Sequence, residues 1–146
     1  MLIVDTNVVA ELMRPNPDEK VRGWFDGPPL DDLAITAVTV GEILYGLDLL
    51  PDGRRKADLV GRFGMVLKRA FSGYVLAFDD TAATLCARIR GDRRRAGRPV
   101  AINDAMIAAI ARSQDATVVT RNIGDFEGCG VPLVNPWDEG GSSLGR

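Results

Sequence analysis

Residues 2–10, Leu2-Ile3-Val4-Asp5-Thr6-Asn7-Val8-Val9-Ala10, change character at a single acid. The three apolar residues before Asp5 suit a short buried strand, and the stretch Val8 to Leu12 reads as a helix that Pro15 closes. A strand that runs through a carboxylate into a helix is the opening unit of an α/β sheet, and ligands of such sheets bind beyond the carboxyl ends of the strands. Asp5 stands at such an end, and it also suits an ordinary helix N-cap.

The same alternation continues outward along the chain. Asn16-Pro17 reads as a cap with proline in the first turn of a helix carrying Val21, Trp24 and Phe25 at i, i+3 and i+4, which stops near Gly27-Pro28-Pro29. Leu33 to Ala37 is a second strand. It is followed by a helix striped with Val40, Ile43, Leu44, Leu47 and Leu50 and ended by Pro51-Asp52-Gly53. A further helix, from Arg54 to about Phe71, buries Leu59, Phe63 and Ala70 and has Gly73 behind it. Tyr74 to Phe78 reads as a strand, and Asp79-Asp80-Thr81 cap a helix using Ala82, Leu85 and Ile89 that ends before Gly97. Asn103 starts a helix whose residues 105–111 are apolar on every side, so it must be covered all round. Thr117–Thr120 and Val131–Val134 complete the strands. Short, uniformly apolar strands separated by helices predict a parallel sheet covered on both faces, in one domain over 1–139 with a frayed tail over 140–146.

One hundred and forty-six residues make one domain, and 46% hydrophobic with 26% charged residues describe a globular chain. The histidine count is zero. That excludes Ser-His-Asp hydrolysis, histidine-pair ribonucleases and histidine-liganded zinc, and leaves carboxylates with a hard cation as the available chemistry. Cys86 and Cys129 form no C-x-x-C pair and read as buried, reduced thiols. The net charge of −2 hides 12 Lys/Arg against four acids between Arg54 and Arg98, a basic block flanked by acidic ends. Such asymmetry suits a polyanion partner beside a cation pocket, and equally a solvated helix end. The start of the chain carries no basic leader, and Glu42 interrupts the longest apolar stretch, so no membrane span is expected and the location is expected to be cytoplasmic.

Four acids stand at the predicted strand ends and helix starts. Glu42 completes Thr39-x-x-Glu42, a possible capping box, yet Val38 and Gly46 flank it one turn away on a face that is not polar. Asp104 follows Asn103, which can cap the helix unaided, and shares a face with Ile107, Ala108 and Ala111; a carboxylate entering a buried helix needs a partner. Asp125 lies in the loop Thr120-Arg121-Asn122-Ile123-Gly124-Asp125 after a strand and can also be a turn acid. Two carboxylates at ~4 Å repel by roughly 1–4 kcal/mol, so several together call for protons or a divalent ion. Oxygen-only ligands suit Mg²⁺ or Mn²⁺.

At these positions the chain resembles the PIN domain, more narrowly the VapC and FitB type of toxin nuclease from bacterial toxin–antitoxin pairs. The resemblance rests on Asp5-Thr6-Asn7, Thr39-Val40-Gly41-Glu42-Ile43 with Tyr45-Gly46, Asn103-Asp104 with Ile107-Ala108, and Thr120-Arg121-Asn122 with Asp125-Phe126. Val134-Asn135-Pro136-Trp137 is similar to the FitB-like branch. It implies a three-layer α/β/α sandwich with a parallel, roughly five-stranded sheet, and an Mg²⁺/Mn²⁺-dependent endoribonuclease. It further implies a small cognate antitoxin and a homodimer. In the family pattern Asp5, Glu42 and Asp104 are the acidic core, Asp125 is the fourth acid, and Thr6, Asn7, Thr120 and Asn122 are supports. Many relatives carry a second acid where this chain has Asn122. Arg93, Arg94, Arg98 and Arg121 are the residues expected to touch RNA. Two rival readings are a haloacid-dehalogenase-like phosphatase, disfavoured because Asn7 stands where that family wants a second Asp, and a PIN-like domain that binds RNA or a partner without cutting.

Overall fold

The computed structural model describes residues 1–72 and 74–138; Gly73, the domain end expected at 139 and the tail expected over 140–146 lie outside the described residues. Strand β1 (Leu2–Val4) passes through Asp5 into α1 (Thr6–Leu12). Asp5 is extended and accepts from Thr6 N at 2.8 Å through Oδ1, so it caps α1 as well as ending β1. Helix α2 (Glu19–Phe25) is capped by Asp18, whose carboxylate accepts from Lys20 N at 2.8 Å, and not by Asn16 as the sequence suggested. An anion at the positive end of the helix displaces the neutral amide two residues earlier.

A 3₁₀ turn (Leu30–Asp32) leads to β2 (Leu33–Thr36), which runs without a loop into α3 (Ala37–Asp48). Thr36 is the N-cap of α3, accepting from Thr39 N at 3.1 Å. Thr39 therefore lies inside the first turn and no Thr39–Glu42 capping box forms, which places Glu42 in the second turn. Helix α4 (Arg54–Ala70) matches its expected span, and β3 (Val75–Leu76) is shorter than expected. Asp79 caps α5 (Asp80–Arg95) by accepting from Ala82 N at 2.9 Å. Helix α6 (Ile102–Ser113) begins one residue before Asn103, with Ala101 at its N-cap and no side-chain cap, so Asn103 is a first-turn residue and not the cap. Strand β4 (Thr117–Val119), the four-residue α7 (Ile123–Phe126) and β5 (Leu133–Val134) complete the described chain. Pro132, lacking an N–H, stays outside β5 but accepts from Val118 N at 2.9 Å.

The sheet has the order β3-β2-β1-β4-β5 and all four pairings are parallel. Period-2 alternation decides what each strand residue touches. Ile3, Ala34 and Val118 point into one core with Cys86, Ile89, Ile107 and Phe126 from α5, α6 and α7. Val4, Leu33, Ile35 and Val119 point into the other with Val8, Val9, Val21, Ile43 and Phe63 from α1–α4. The result is a three-layer α/β/α sandwich. Helix α6 buries Ala105 and Ile107–Ala111, as its uniformly apolar sequence required, and packs chiefly against α5. Each fully buried isoleucine, such as Ile107 or Ile110, contributes about 1.5–3 kcal/mol of transfer free energy. Both cysteines are buried free thiols.

Candidate active site at the carboxyl edge of the sheet

Strand order reverses between β1 and β4, since β2 and β3 extend from one side of β1 while β4 and β5 extend from the other. A crevice opens beyond such a reversal, at the carboxyl ends of the two neighbouring strands. Asp5 and Thr120 are the first residues beyond those ends. Asp5 N still donates to Val119 O at 2.9 Å, which fixes its backbone to the neighbouring strand.

Asp5 is only 4% exposed, and three donors meet its carboxylate: Thr6 N on Oδ1, and Thr120 Oγ1 at 2.8 Å and Asn7 Nδ2 at 3.1 Å on Oδ2. An ionised carboxylate offers about four lone-pair sites, so one remains for a further ligand. Thr6 Oγ1 donates to Glu42 Oε1 at 3.1 Å and lies 3.2 Å from Thr39 Oγ1. Asn7 Oδ1 accepts from Arg121 N at 3.2 Å, and Thr120 Oγ1 accepts from Asn122 N at 3.0 Å. The supports Thr6, Asn7 and Thr120 thus act through side chains. Asn122 acts through its backbone N–H.

Electrostatics tie the four acids together. Burial pushes the Asp5 carboxyl above the usual range; the hydrogen bonds from Thr120 and Thr6 oppose that rise, the Glu42 charge adds to it, and Asn7 opposes it. Asp104 is pushed up to about 6, first by burial and then by the charges of Asp5, Asp125 and Glu42, with Arg93 opposing. Asp104 is half-buried in the first turn of α6, and among the described residues no hydrogen-bond donor meets its carboxylate. Asp125 lies exposed on α7. Among the described residues no group of three or more Asp, Glu or Cys side chains closes around one point where an ion would sit. A donor set of this kind still fits Mg²⁺, which keeps several waters and takes one or two protein carboxylates directly.

The four arginines expected at RNA divide by their surroundings. Arg93 is buried and its guanidinium is engaged by Arg98 O, Asp125 O and Glu127 O, so it is not available to a phosphate; that expectation is corrected. Helical phase turned Arg93 inward while Arg94 and Arg95 face solvent. Arg98 is exposed and reaches Gly124 O at 3.4 Å and Glu127 Oε2 at 3.5 Å. Arg121 is exposed, with its guanidinium 4.9 Å from the centre of the Trp137 ring.

Sequence reasoning did not find a groove of about 870 Å³ that starts at Thr6 and Glu42 and runs between α1, α3 and α4. Met13, Ile43, Leu47 and Leu59 form its apolar lining, Gly46 leaves it open, and Arg14, Arg54, Arg55 and Arg62 rim it. The paired Arg54-Arg55 at the start of α4, where the helix dipole disfavours cations, was the one signal available in the sequence.

The PIN-domain family model matches residues 2–127. The chain belongs to the PIN-domain family. This PIN domain is 37% identical over 139 residues to toxin FitB of Neisseria gonorrhoeae, covering 95% of this chain and all of that protein. It is 33% identical over 138 residues to VapC ribonuclease Y4jK of Sinorhizobium fredii, covering 94% of this chain and 99% of the relative. The solved structure of FitAB bound to an IR36 DNA fragment superposes with a TM-score of 0.87 at 38% identity, covering 94% of this chain and 96% of that one. Membership in the PIN family sets aside the haloacid-dehalogenase reading. In this PIN domain Asn7 already spends both ends of its amide on Asp5 and Arg121.

Proposed function

We propose that this PIN domain is a divalent-metal-dependent endoribonuclease and the toxin of a toxin–antitoxin pair. The observation that carries the reading is Asp104: a half-buried carboxylate with no donor among the described residues, raised first by burial and then by the charges of three other acids, beside a nearly saturated Asp5. Repulsion of this kind is relieved by a cation, and the names of the relatives FitB and VapC ribonuclease supply the activity.

Asp5, through its one remaining lone pair, and Asp104 would hold Mg²⁺ or Mn²⁺ directly, with Glu42 and Asp125 reaching it through water. Bound there, the ion would lower the pKa of a water and offset charge on the phosphate oxygens. The chain's own part is geometric. Thr120, Asn7 and Thr6 favour the ionised form of Asp5 against the effect of burial and hold it in place, and the Thr6 hydroxyl orients Glu42. Glu42 or Asp125 takes the proton of the attacking water, work that needs neither imidazole nor the RNA 2′-hydroxyl. Arg121, held over Trp137, contacts the scissile phosphate, and Arg94 and Arg98 contact the backbone beyond it.

The antitoxin is proposed to lay an apolar, acidic segment in the groove that begins at Glu42, meeting Arg14, Arg54, Arg55 and Arg62. The unit is proposed to be a homodimer, for which the exposed Leu44, Tyr45 and Leu49 of α3 and its C-cap give an apolar face. Its site of action is proposed to be the cytoplasm; among the described residues no helix is long and apolar enough to cross a membrane. Labelled RNA incubated with the protein and Mg²⁺, Mn²⁺ or EDTA tests the reading. Cutting should need the metal and should disappear in Asp5→Asn; metal-independent cutting, or full activity in Asp5→Asn, would reject it.

A further inference from the structure

We propose that Arg93 is a positioning residue of this site: its buried guanidinium binds the end of α5 to the loop after α7 and so holds Asp125 in place. The inference rests on the nuclease reading of Asp125 given above. Arg93 is 7% exposed, donates from Nε to Arg98 O at 2.6 Å, and donates from Nη1 to Glu127 O at 2.7 Å and to Asp125 O at 3.0 Å. The same Nη1 lies 3.5 Å from Cys129 Sγ. Among the described residues no carboxylate pairs with this cation. A buried charge is costly unless it is engaged, so a guanidinium whose Nε and Nη1 both donate to main-chain carbonyls stabilises a backbone that needs those donors.

The backbone in question does need them. Helix α7 has four residues, too few to satisfy its own last carbonyls, and isolated helices of that length do not persist in water. Asp125 O and Glu127 O are two of the carbonyls left over, and a cation at a helix C-terminus is favourably placed. The chain then turns at Gly128 with φ +79, where a Cβ would lie 3.4 Å from Arg93 Cδ. Residues 125–129 therefore wrap the Arg93 side chain. Among the described residues the Asp125 carboxylate has no donor of its own, so its place relative to Asp104 follows from this backbone and from the packing of α7 through the buried Phe126. The planar fork of arginine reaches three separate carbonyls, which the point charge of lysine cannot match.

The test uses the full chain with Arg93→Met, Arg93→Lys and Gly128→Ala, the last straining the φ +79 turn that follows the Glu127 carbonyl. Hydrogen exchange over 123–130 should quicken by about tenfold or more in Arg93→Met and Gly128→Ala, with α1, α3 and α6 unchanged within about twofold. In RNA cutting, Arg93→Met should lower kcat about 10- to 100-fold with KM held within about twofold, and Arg93→Lys should recover part of the loss. In an Asp125→Asn background, Arg93→Met should cost less than about twofold more, because the residue it positions is already disabled. Parental exchange in both variants, or an undiminished kcat loss in the Asp125→Asn background, would overturn the inference. Should Arg93→Met fail to fold, Arg93→Lys and Gly128→Ala give the same two readouts. Parental cutting by Asp125→Asn alone would instead remove Asp125 from the site, a result separable from an Asp125 effect that Arg93→Met does not share.

Discussion

Removing the charge at residue 104 should make the metal-free protein more stable, although the residue is assigned to its active site. Asp104 is pushed from the usual 3.8 up to about 6. Each pK unit corresponds to about 1.36 kcal/mol, so the ionised carboxylate costs the folded state at most about 3 kcal/mol at neutral pH. The side chain is only half-buried, and solvent screening reduces this to about 1–1.5 kcal/mol. A domain of this size gains roughly 2–4 °C per kcal/mol, so Asp104→Asn should melt about 3–5 °C above the parent at pH 7 in EDTA. The folded state holds a proton on Asp104 up to about pH 6, whereas the unfolded chain releases it near 4. Between those values the folded state binds more protons, so the parent loses stability as pH rises through the window. The advantage of Asp104→Asn should therefore vanish near pH 4, open between 4 and 6, and stay constant above. Adding Mg²⁺ should raise the melting temperature of the parent more than that of the variant. Thermal melts across pH 4–8, with EDTA and with Mg²⁺, measure all of this. A variant no more stable than the parent at pH 7, or a gap indifferent to pH, would refute the claim that neighbouring acids and burial strain this site.

Thr6→Val deletes the donor to Glu42 Oε1 and should reduce kcat for RNA about tenfold while leaving the fold intact by circular dichroism. Asp5→Ala should do more than abolish cutting, because Thr120 Oγ1, Asn7 Nδ2 and Thr6 N lose their acceptor; a denaturant titration should show about 1–3 kcal/mol lost. Trp137→Ala removes the ring under Arg121 and should raise KM for RNA severalfold with kcat little changed, a cation–π contact being worth about 0.5–1 kcal/mol near the surface. Ile107→Ala, at a fully buried position of α6, should cost about 2–5 kcal/mol of stability by the same titration.

Each element of the sheet was legible from short apolar runs, because a strand covered on both faces can carry nothing else. Helix starts were harder. Asp79 caps as its sequence suggested, whereas Asn16 yields to Asp18, whose charge suits a helix N-terminus, and Asn103 yields to a start at Ile102 with no side-chain cap, which no capping preference explains. The acids Asp5, Glu42, Asp104 and Asp125 stood out by residue type and place in the chain. The electrostatic contacts that tie Asp104 to the other three became visible only in the fold. Arg93 was misjudged because a run of arginines does not reveal which member the helix turns inward, and the groove was missed because it exists only where α1, α3 and α4 come together.

What the sequence determined by itself was local and periodic: where strands and helices alternate, that the sheet is covered on both faces, that imidazole chemistry is absent, and which carboxylates stand at element ends. What the tertiary structure decided was everything that depends on residues far apart in the chain. It brings the Thr120 hydroxyl to Asp5 from 115 positions away, leaves Asp104 without a donor among the described residues, and turns Arg93 from a surface cation into a brace for Asp125. Periodicity follows from the geometry of one element. Protonation and ligand capacity follow from what other elements bring within a few ångströms, and only the packed chain fixes those distances.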